Sequence, residues 1–188
     1  MTRIIAGFAG STSLGVPKAG TRPTSDRVRE ALFSALDARD EVRGLRVADL
    51  YAGTGALGLE AASRGAARVT LVELGQQAVR ECRSNAALVT ARAPRGQAPS
   101  IDVVAQAVRA YLATLAPNSL DLVFIDPPYE LPDGELRLDL EALVPALDTD
   151  ALVIVERRAR SGEPTWPSGL VLEAKKAYGD TVLWWGRA

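Results

Sequence analysis

Histidine is absent from the 188 residues of the chain, and cysteine occurs once, as Cys82. These absences exclude Ser-His-Asp triads, Cys-His nucleophiles, disulfide frameworks and zinc-finger spacings. Cysteine-based methylation of cytosine C5 is disfavoured as well, because Cys82 lies in a helical pattern and in no Pro-Cys motif. We therefore expect chemistry that uses carboxylates, amides, hydroxyls and backbone groups, with no metal ion.

Long apolar stretches are absent too. No run of about 18 uncharged apolar residues occurs, and residues 1–7 lack the apolar core of a signal peptide. Because a lone thiol suits a reducing compartment, we expect a cytoplasmic protein without a membrane anchor. The composition, 47% hydrophobic in 188 residues, fits one domain. We expect a monomer with an N-terminal, substrate-facing segment and helix (1–45) and a sheet core (46–188).

Acidic residues are scarce only at the N-terminal end. Residues 1–29 carry five basic residues and one acidic residue, Asp26, whereas the whole chain has a net charge of −1. A basic end of this kind can bind phosphates, although a solvated helix start with scattered arginines gives the same pattern.

Short apolar runs alternate with helical patterns after residue 45, which is typical of a parallel sheet built from βαβ units. The predicted strands are 46–51, 69–73, 101–104, 120–126 and 152–156, and the predicted helices between them are 56–64, 76–88, 107–115 and 136–147. A short turn at Gly179-Asp180 predicts an antiparallel hairpin of strands 170–178 and 181–185. Before the sheet, apolar residues at helical spacing predict a helix over 28–36, capped by Thr24, Ser25 or Asp26.

A glycine-rich turn follows the first predicted strand. Gly53 and Gly55 let the backbone turn sharply and a ligand approach main-chain amides, and Gly58 permits close packing of the next helix. This G-x-G-x-x-G spacing is typical of dinucleotide sites, with Glu73 at the end of the second strand to hold ribose hydroxyls. The spacing alone leaves open NAD, S-adenosylmethionine and a turn that serves only packing.

Asp49, four residues before Gly53, favours S-adenosylmethionine. In dinucleotide sites the strand that leads into the glycines is usually apolar, because the loop holds an anionic pyrophosphate. A carboxylate instead suits a ligand that carries an ammonium and a sulfonium group. We therefore predict an S-adenosylmethionine site at this turn.

The fourth predicted strand runs directly into Asp126, Pro127, Pro128 and Tyr129. Its carboxyl end lies on the same sheet edge as the glycine turn, where open α/β sheets bind ligands. Two prolines donate no amide hydrogen, so the carbonyls beside them act only as acceptors. An amino group is a hydrogen-bond donor, so a site made of acceptors alone suits it. The alternative interpretation is an ordinary turn that ends the strand.

An exocyclic base nitrogen is a poor nucleophile that becomes positively charged as it attacks a sulfonium methyl. The Asp126 carboxylate and the Pro127 carbonyl can both accept from this NH₂ and stabilise the developing charge. Tyr129 can stack on the base, which must be single-stranded or flipped out to reach the pocket.

Four segments of the chain resemble the RsmD-type methyltransferases, which modify N2 of a guanine in small-subunit ribosomal RNA. They are residues 3–7, 21–33, 49–60 and 126–129, and residues 178–181 agree as well. The Asp-Pro-Pro-Tyr tetrapeptide is shared by many amino-methyltransferases, including enzymes that act on adenine in DNA. The segment 21–30 (Thr-Arg-Pro-Thr-Ser-Asp-Arg-Val-Arg-Glu) is far more specific.

The resemblance implies a Rossmann-like class I methyltransferase fold with a mostly parallel seven-stranded sheet. It implies S-adenosylmethionine as the cofactor and, as the partner, ribosomal RNA, within the small subunit or its precursor. The implied cofactor-binding residues are Asp49, Tyr51, Gly53, Gly55, Glu73 and Gln106, the catalytic ones Asp126, Pro127, Pro128 and Tyr129, and the RNA-binding ones Arg22, Thr24, Arg27 and Tyr129. Gln106 replaces the acidic residue that such enzymes often place near the adenine amino group, and Ser11-Thr12-Ser13 replaces a basic pair.

Three other functions fit parts of the sequence. One is methylation of adenine N6 in DNA, although no target-recognition domain is evident. Another is a nicotinamide-dependent oxidoreductase, which leaves residues 126–129 unexplained. The third is a non-catalytic ribosome-assembly factor that binds the same cofactor.

Overall fold

The computed structural model describes residues 2–16 and 25–188. The strands are β1 (Thr2–Arg3), β2 (Ser13–Leu14), β3 (Arg46–Leu50), β4 (Arg68–Glu73), β5 (Ser100–Ala105), β6 (Leu120–Ile125), β7 (Leu147–Arg158), β8 (Val171–Tyr178) and β9 (Thr181–Arg187). The helices are α1 (Asp26–Asp37), α2 (Ala56–Ser63), α3 (Gln76–Thr90), α4 (Val108–Leu112) and α5 (Asp133–Leu143), with 3₁₀ turns at Val144–Ala146 and Ala159–Ser161.

Seven strands form the central sheet, in the order β5-β4-β3-β6-β7-β9-β8. The first five of these are parallel, and β9 pairs antiparallel with both β7 and β8. The predicted α/β fold, with its parallel sheet and closing hairpin, is therefore confirmed. The chain moves outward from β3 to β5 and then crosses back to β6, so the switch point of the topology lies between β3 and β6, where such sheets bind ligands.

Helix α1 covers one face of the sheet next to this switch point. Its buried face agrees with the prediction at Val28, Leu32 and Leu36 and also contains Arg29 and Phe33. The ring of Phe33 packs on that of Phe124 in β6, with centroids 5.6 Å apart. Of the three predicted caps, Ser25 is the N-cap, and its hydroxyl accepts from the Val28 amide. The N-terminus of α1 is thereby fixed beside the carboxyl ends of β6 and β7.

The last predicted helix and the strand after it differ from the prediction. The helix, expected over 136–147, begins at Asp133, ends at Leu143 and continues as a 3₁₀ turn, because Pro145 cannot continue an α-helix. Strand β7 begins at Leu147 rather than at residue 152. Residues 148–150 are polar and at least partly exposed, so the first part of β7 has no apolar pattern in the sequence.

Residues 2–16 form a segment that packs on α2 and α3, with a two-residue ladder between β1 and β2 that the sequence did not predict. The buried Glu60 carboxylate of α2 accepts from the amides of Ile5 and Ala6. At the other end of the segment, Asn85 of α3 holds both backbone groups of Gly15.

Candidate active site at the sheet edge

The glycine turn and the Asp-Pro-Pro-Tyr tetrapeptide are neighbours in the structure. Leu50, the last residue of β3, pairs with Ile125, the last residue of β6. The Asp126 amide donates to the Leu50 carbonyl at 3.4 Å. Two motifs more than 70 residues apart in the chain therefore meet at the switch point of the sheet, as the strand pattern predicted.

The glycines of the turn have two different surroundings. Gly53 has a φ of +56°, and a Cβ added to it would meet no described atom within 4 Å, so the space above it is open to a ligand. At Gly58 an added Cβ would lie 2.4 Å from Leu71 Cδ2 and 3.0 Å from Asp49 Cβ. Gly53 thus borders the ligand space, whereas Gly58 permits the packing of α2 on the sheet. Gly55, with a φ of +78°, is the N-cap of α2.

Asp49 lies beneath this turn and is only 1% exposed. Its Oδ2 accepts from the Gly58 amide at 2.8 Å, in the first turn of α2. Burial raises the pKa of the Asp49 carboxyl to about 8, and the carboxylates of Asp126 and Glu73 add to the rise, although the Gly58 amide opposes it. Asp49 therefore supports the turn from below and places a carboxyl group there, instead of reaching into open space.

Glu73 borders the same turn from the end of β4. Its Oε2 accepts from the Gly53 amide at 2.9 Å, and its Oε1 accepts from the amides of Leu74 and Gly75. These bonds fix the carboxylate beside Gly53. Its position at the carboxyl end of β4 is the one that ribose binding requires.

Tyr51 and Gln106 occupy different surroundings from those of the glycines. The Tyr51 hydroxyl donates to Asp139 of α5, whose carboxylate is also paired with Arg109 Nε at 2.9 Å. Burial raises the pKa of Tyr51, and the bond to Asp139 raises it further. The hydroxyl thus points into the protein, which leaves the ring and backbone of Tyr51 for a cofactor. Gln106 is exposed, directly after β5.

The tetrapeptide passes from the core to the surface. Asp126 is half-buried, Pro127 is buried and Pro128 is exposed. Tyr129 is 39% exposed, and the Arg158 guanidinium lies 3.7 Å from the centroid of its ring. One face of the ring is therefore occupied, so the predicted stacking of a base would use the opposite face or displace Arg158.

A cavity of about 490 Å³ lies beside Tyr129, within the size range of ligand pockets. It is enclosed by the start of α1, the tetrapeptide, the end of β7 with the turn after it, and the turn between β8 and β9, and its lining residues are Ser25, Val28, Tyr129, Glu156, Arg158, Ala159, Arg160, Tyr178, Asp180 and Thr181. A larger depression between α3 and β5 contains none of the motif residues.

Arg27, predicted to bind RNA, is exposed in the first turn of α1. Arg22 and Thr24, predicted to act with it, lie outside the described residues. Sequence reasoning missed Glu156 and Arg158, which line the cavity at the end of β7. The sequence could have indicated them, because they are charged residues at the end of a buried strand, as Asp126 is. Such residues at the ligand-binding edge of a sheet are candidate site residues.

Asn85 was also missed. Besides holding Gly15, its Nδ2 donates to the carbonyl of Thr54 in the glycine turn at 2.9 Å. One buried amide therefore joins the N-terminal segment to the turn. Among the described residues, no cluster of side chains suits a metal ion and no helix has the length and apolarity needed to cross a bilayer.

Comparisons with known proteins agree with this architecture. The family model described as conserved hypothetical protein 95 matches residues 2–187. The ribosomal RNA small subunit methyltransferase D of Escherichia coli K12 is 36% identical over 181 residues, which is 96% of this chain and 86% of that protein.

Two solved structures resemble the fold. A hypothetical protein of Thermus thermophilus superposes with a TM-score of 0.80 at 30% identity, over 98% of both chains. The magnesium protoporphyrin IX methyltransferase of Synechocystis PCC 6803, with bound S-adenosylmethionine, gives 0.64 at 17% identity, over 89% of this chain and 86% of that one. At that identity the second likeness concerns the fold alone.

Proposed function

Because the chain belongs to the family described as conserved hypothetical protein 95, the RsmD-type family, we propose that it methylates N2 of a guanine in small-subunit ribosomal RNA. The methyl group would come from S-adenosylmethionine. We further propose that it acts in the cytoplasm, as a monomer, on the small subunit or its precursor, with residues 1–45 facing the RNA.

The observation that carries this proposal is the contact between the two motifs, in which the Asp126 amide is bonded to the carbonyl of Leu50. This contact puts the open space at Gly53 directly beside a group of hydrogen-bond acceptors. A cofactor bound at the turn and an amino group held by the tetrapeptide would therefore lie next to each other.

The residues at the turn fit S-adenosylmethionine. Gly53 leaves open the space that a side chain would fill, and Glu73 is fixed beside it for the ribose. Asp126 and Glu73 both raise the pKa of Asp49, so each of these carboxylates is close enough to repel a negative charge on Asp49. A cationic ligand relieves this repulsion, whereas the pyrophosphate of a nicotinamide cofactor would increase it. The carboxyl groups at the turn thus disfavour a nicotinamide-dependent oxidoreductase.

The chain's own residues would act on the guanine. S-adenosylmethionine supplies an electrophilic methyl group. The Asp126 carboxylate and the Pro127 carbonyl accept hydrogen bonds from the guanine amino group, which orients its lone pair and stabilises the charge that develops on nitrogen. Tyr129 holds the base by stacking. Gln106, at the end of β5, can accept from the adenine amino group of the cofactor.

The direct test is transfer of a tritiated methyl group to three acceptors, namely small ribosomal subunits from a strain that lacks this protein, deproteinised 16S rRNA and duplex DNA. We expect label in ribosomal RNA and none in DNA. Label in DNA alone would contradict the proposed substrate. If Asp126→Ala abolished the label but left the protein's cellular effect intact, the assembly-factor function would be supported instead.

A further inference from the structure

Glu156 lies beside Asp126 on the neighbouring strand. Strands β6 and β7 are parallel, and Ile125 pairs with Val155, so the register continued by one residue places Asp126 next to Glu156. Adjacent parallel strands lie about 4.8 Å apart, and paired residues point to the same face. The continued register therefore brings Asp126 and Glu156 to neighbouring positions at the ligand-binding edge, on the face of the sheet where Phe124 meets helix α1.

The cavity beside Tyr129 brings Glu156 close to the end of the tetrapeptide. Glu156 is 7% exposed and lines the cavity together with Tyr129 and with Val28 of α1. The carboxylate thus faces the same space as the aromatic ring of the tetrapeptide. It lies one strand further than Asp126 from β3 and the glycine turn, so it is on the substrate side of the site.

We propose that Glu156 is the specificity-determining residue that selects guanine, by accepting a hydrogen bond from its N1–H. The inference rests on the proposed function. The Watson–Crick edge of guanine presents two adjacent donors, the N2 amino group and N1–H. Two neighbouring carboxylates match this pair, with Asp126 on the amino group and Glu156 on N1–H.

Adenine is excluded by the same arrangement. Its N1 carries a lone pair beside the amino group, so the Glu156 carboxylate would face an acceptor. Two acceptors that face each other form no hydrogen bond with one another, so N1 of adenine would lose water there without compensation. The tetrapeptide alone suits any exocyclic amino group, whereas the pair Asp126 and Glu156 suits an amino group flanked by N–H.

Glu156→Gln tests this inference, with the exposed Glu163→Gln as a control for the same change of charge. The acceptors are small subunits that contain either guanine or 2-aminopurine at the methylated position. 2-Aminopurine keeps the N2 amino group but has an unprotonated N1, and its missing O6 affects both enzymes equally. An amide at position 156 can donate to that N1, whereas a carboxylate cannot.

We expect the wild type to prefer guanine over 2-aminopurine by kcat/KM. Glu156→Gln should lower kcat/KM for guanine about 10- to 100-fold and shift the preference towards 2-aminopurine by a similar factor. Glu163→Gln should change neither quantity, and both variants should keep the wild-type affinity for S-adenosylmethionine.

An unchanged preference in Glu156→Gln would overturn the inference while the proposed function stands. If the variant does not fold, the wild type alone tests the inference. Equal kcat/KM values of the wild type for guanine and 2-aminopurine would overturn it as well. A wild type that transfers no methyl group to guanine N2 would contradict the proposed function, and the inference with it.

Discussion

Asp49 Oδ2 accepts a hydrogen bond from the amide of Gly58 at 2.8 Å, beneath the glycine turn and almost without contact to solvent. Asn has the same shape and can accept the same bond, so Asp49→Asn should fold. The substitution removes the ionisable group whose pKa burial has raised to about 8. It therefore separates the charge of Asp49 from its support of helix α2.

Stability against pH should depend on Asp49. Because the folded pKa, about 8, lies above the unfolded value of 3.8, the neutral carboxyl stabilises the fold fully below pH 4, and this contribution is lost as the pH rises towards 8. We expect Asp49→Asn to melt at least about 4 °C above the wild type at pH 8.5, with a smaller difference at pH 5. Melting curves across this range check it, and parallel curves at all pH values would contradict it.

Cofactor affinity should have the opposite pH dependence. A cationic ligand favours ionised Asp49, so below a pKa of about 8 its binding requires the loss of a proton. Between pH 6.0 and 7.0, where the amino group of the ligand stays mostly protonated, the affinity of the wild type should rise by up to about tenfold per pH unit. Calorimetric titration should find weaker, pH-independent binding in Asp49→Asn. A flat wild-type profile would exclude a role of this charge.

Two glycine substitutions separate ligand space from packing. Gly53→Ala places a methyl group where no described atom lies within 4 Å, whereas Gly58→Ala places one 2.4 Å from Leu71 Cδ2. We expect Gly53→Ala to weaken cofactor binding at least about tenfold, with about 1 kcal/mol lost in stability from its positive φ. Gly58→Ala should lower the free energy of unfolding by at least about 1–3 kcal/mol, because the added methyl group overpacks the contact with the sheet. Denaturation and cofactor titration of both variants test this, and equal effects on binding would contradict it.

Asn85 should control the order of the N-terminal segment. Asn85→Ala leaves the partly buried backbone groups of Gly15 and the buried Thr54 carbonyl without this partner, which should cost about 2–4 kcal/mol. Hydrogen exchange should quicken in residues 2–16 and in the glycine turn before the central strands are affected. The exposed Ser84→Ala is the control, and a uniform increase over the whole sheet would contradict this coupling.

Arg158 should contribute to RNA binding through its contact with the Tyr129 ring. We expect Arg158→Gln to raise the KM for RNA about 3- to 10-fold and to reduce the salt dependence of binding by about one counterion. The exposed Arg92→Gln should leave both unchanged. If the two variants behave alike, Arg158 does not contact the substrate.

The sequence predicted the parts of the site that follow regular strands. Asp49, Glu73 and Asp126 each lie at the end of a buried apolar strand, and the period of such runs shows where a strand ends. The same logic located Gly53 and the contact between the two motifs, because parallel strands bring their carboxyl ends to one edge. The fold followed from the alternation of strands and helices.

The remaining features depend on packing that no local pattern encodes. Tyr51 was predicted to contact the cofactor, but the sequence did not show that its hydroxyl is bonded to Asp139, which lies 88 residues away. Asn85 and Glu60 bind backbone groups of the N-terminal segment, and only the folded chain brings them together. The start of strand β7 was predicted too late because residues 148–150 are polar. Its end was predicted at Glu156, but the charged residues there were not considered as part of the site.

The identity of the methylated nucleoside tests the central claim most directly. Small subunits from a strain without this protein would be incubated with S-adenosylmethionine and either the wild type or Asp126→Asn, and their RNA digested and analysed by mass spectrometry. We predict N2-methylguanosine with the wild type and a rate about 10²- to 10³-fold lower with Asp126→Asn at saturating cofactor. Methylation of another atom, or an undiminished rate in the variant, would contradict the account.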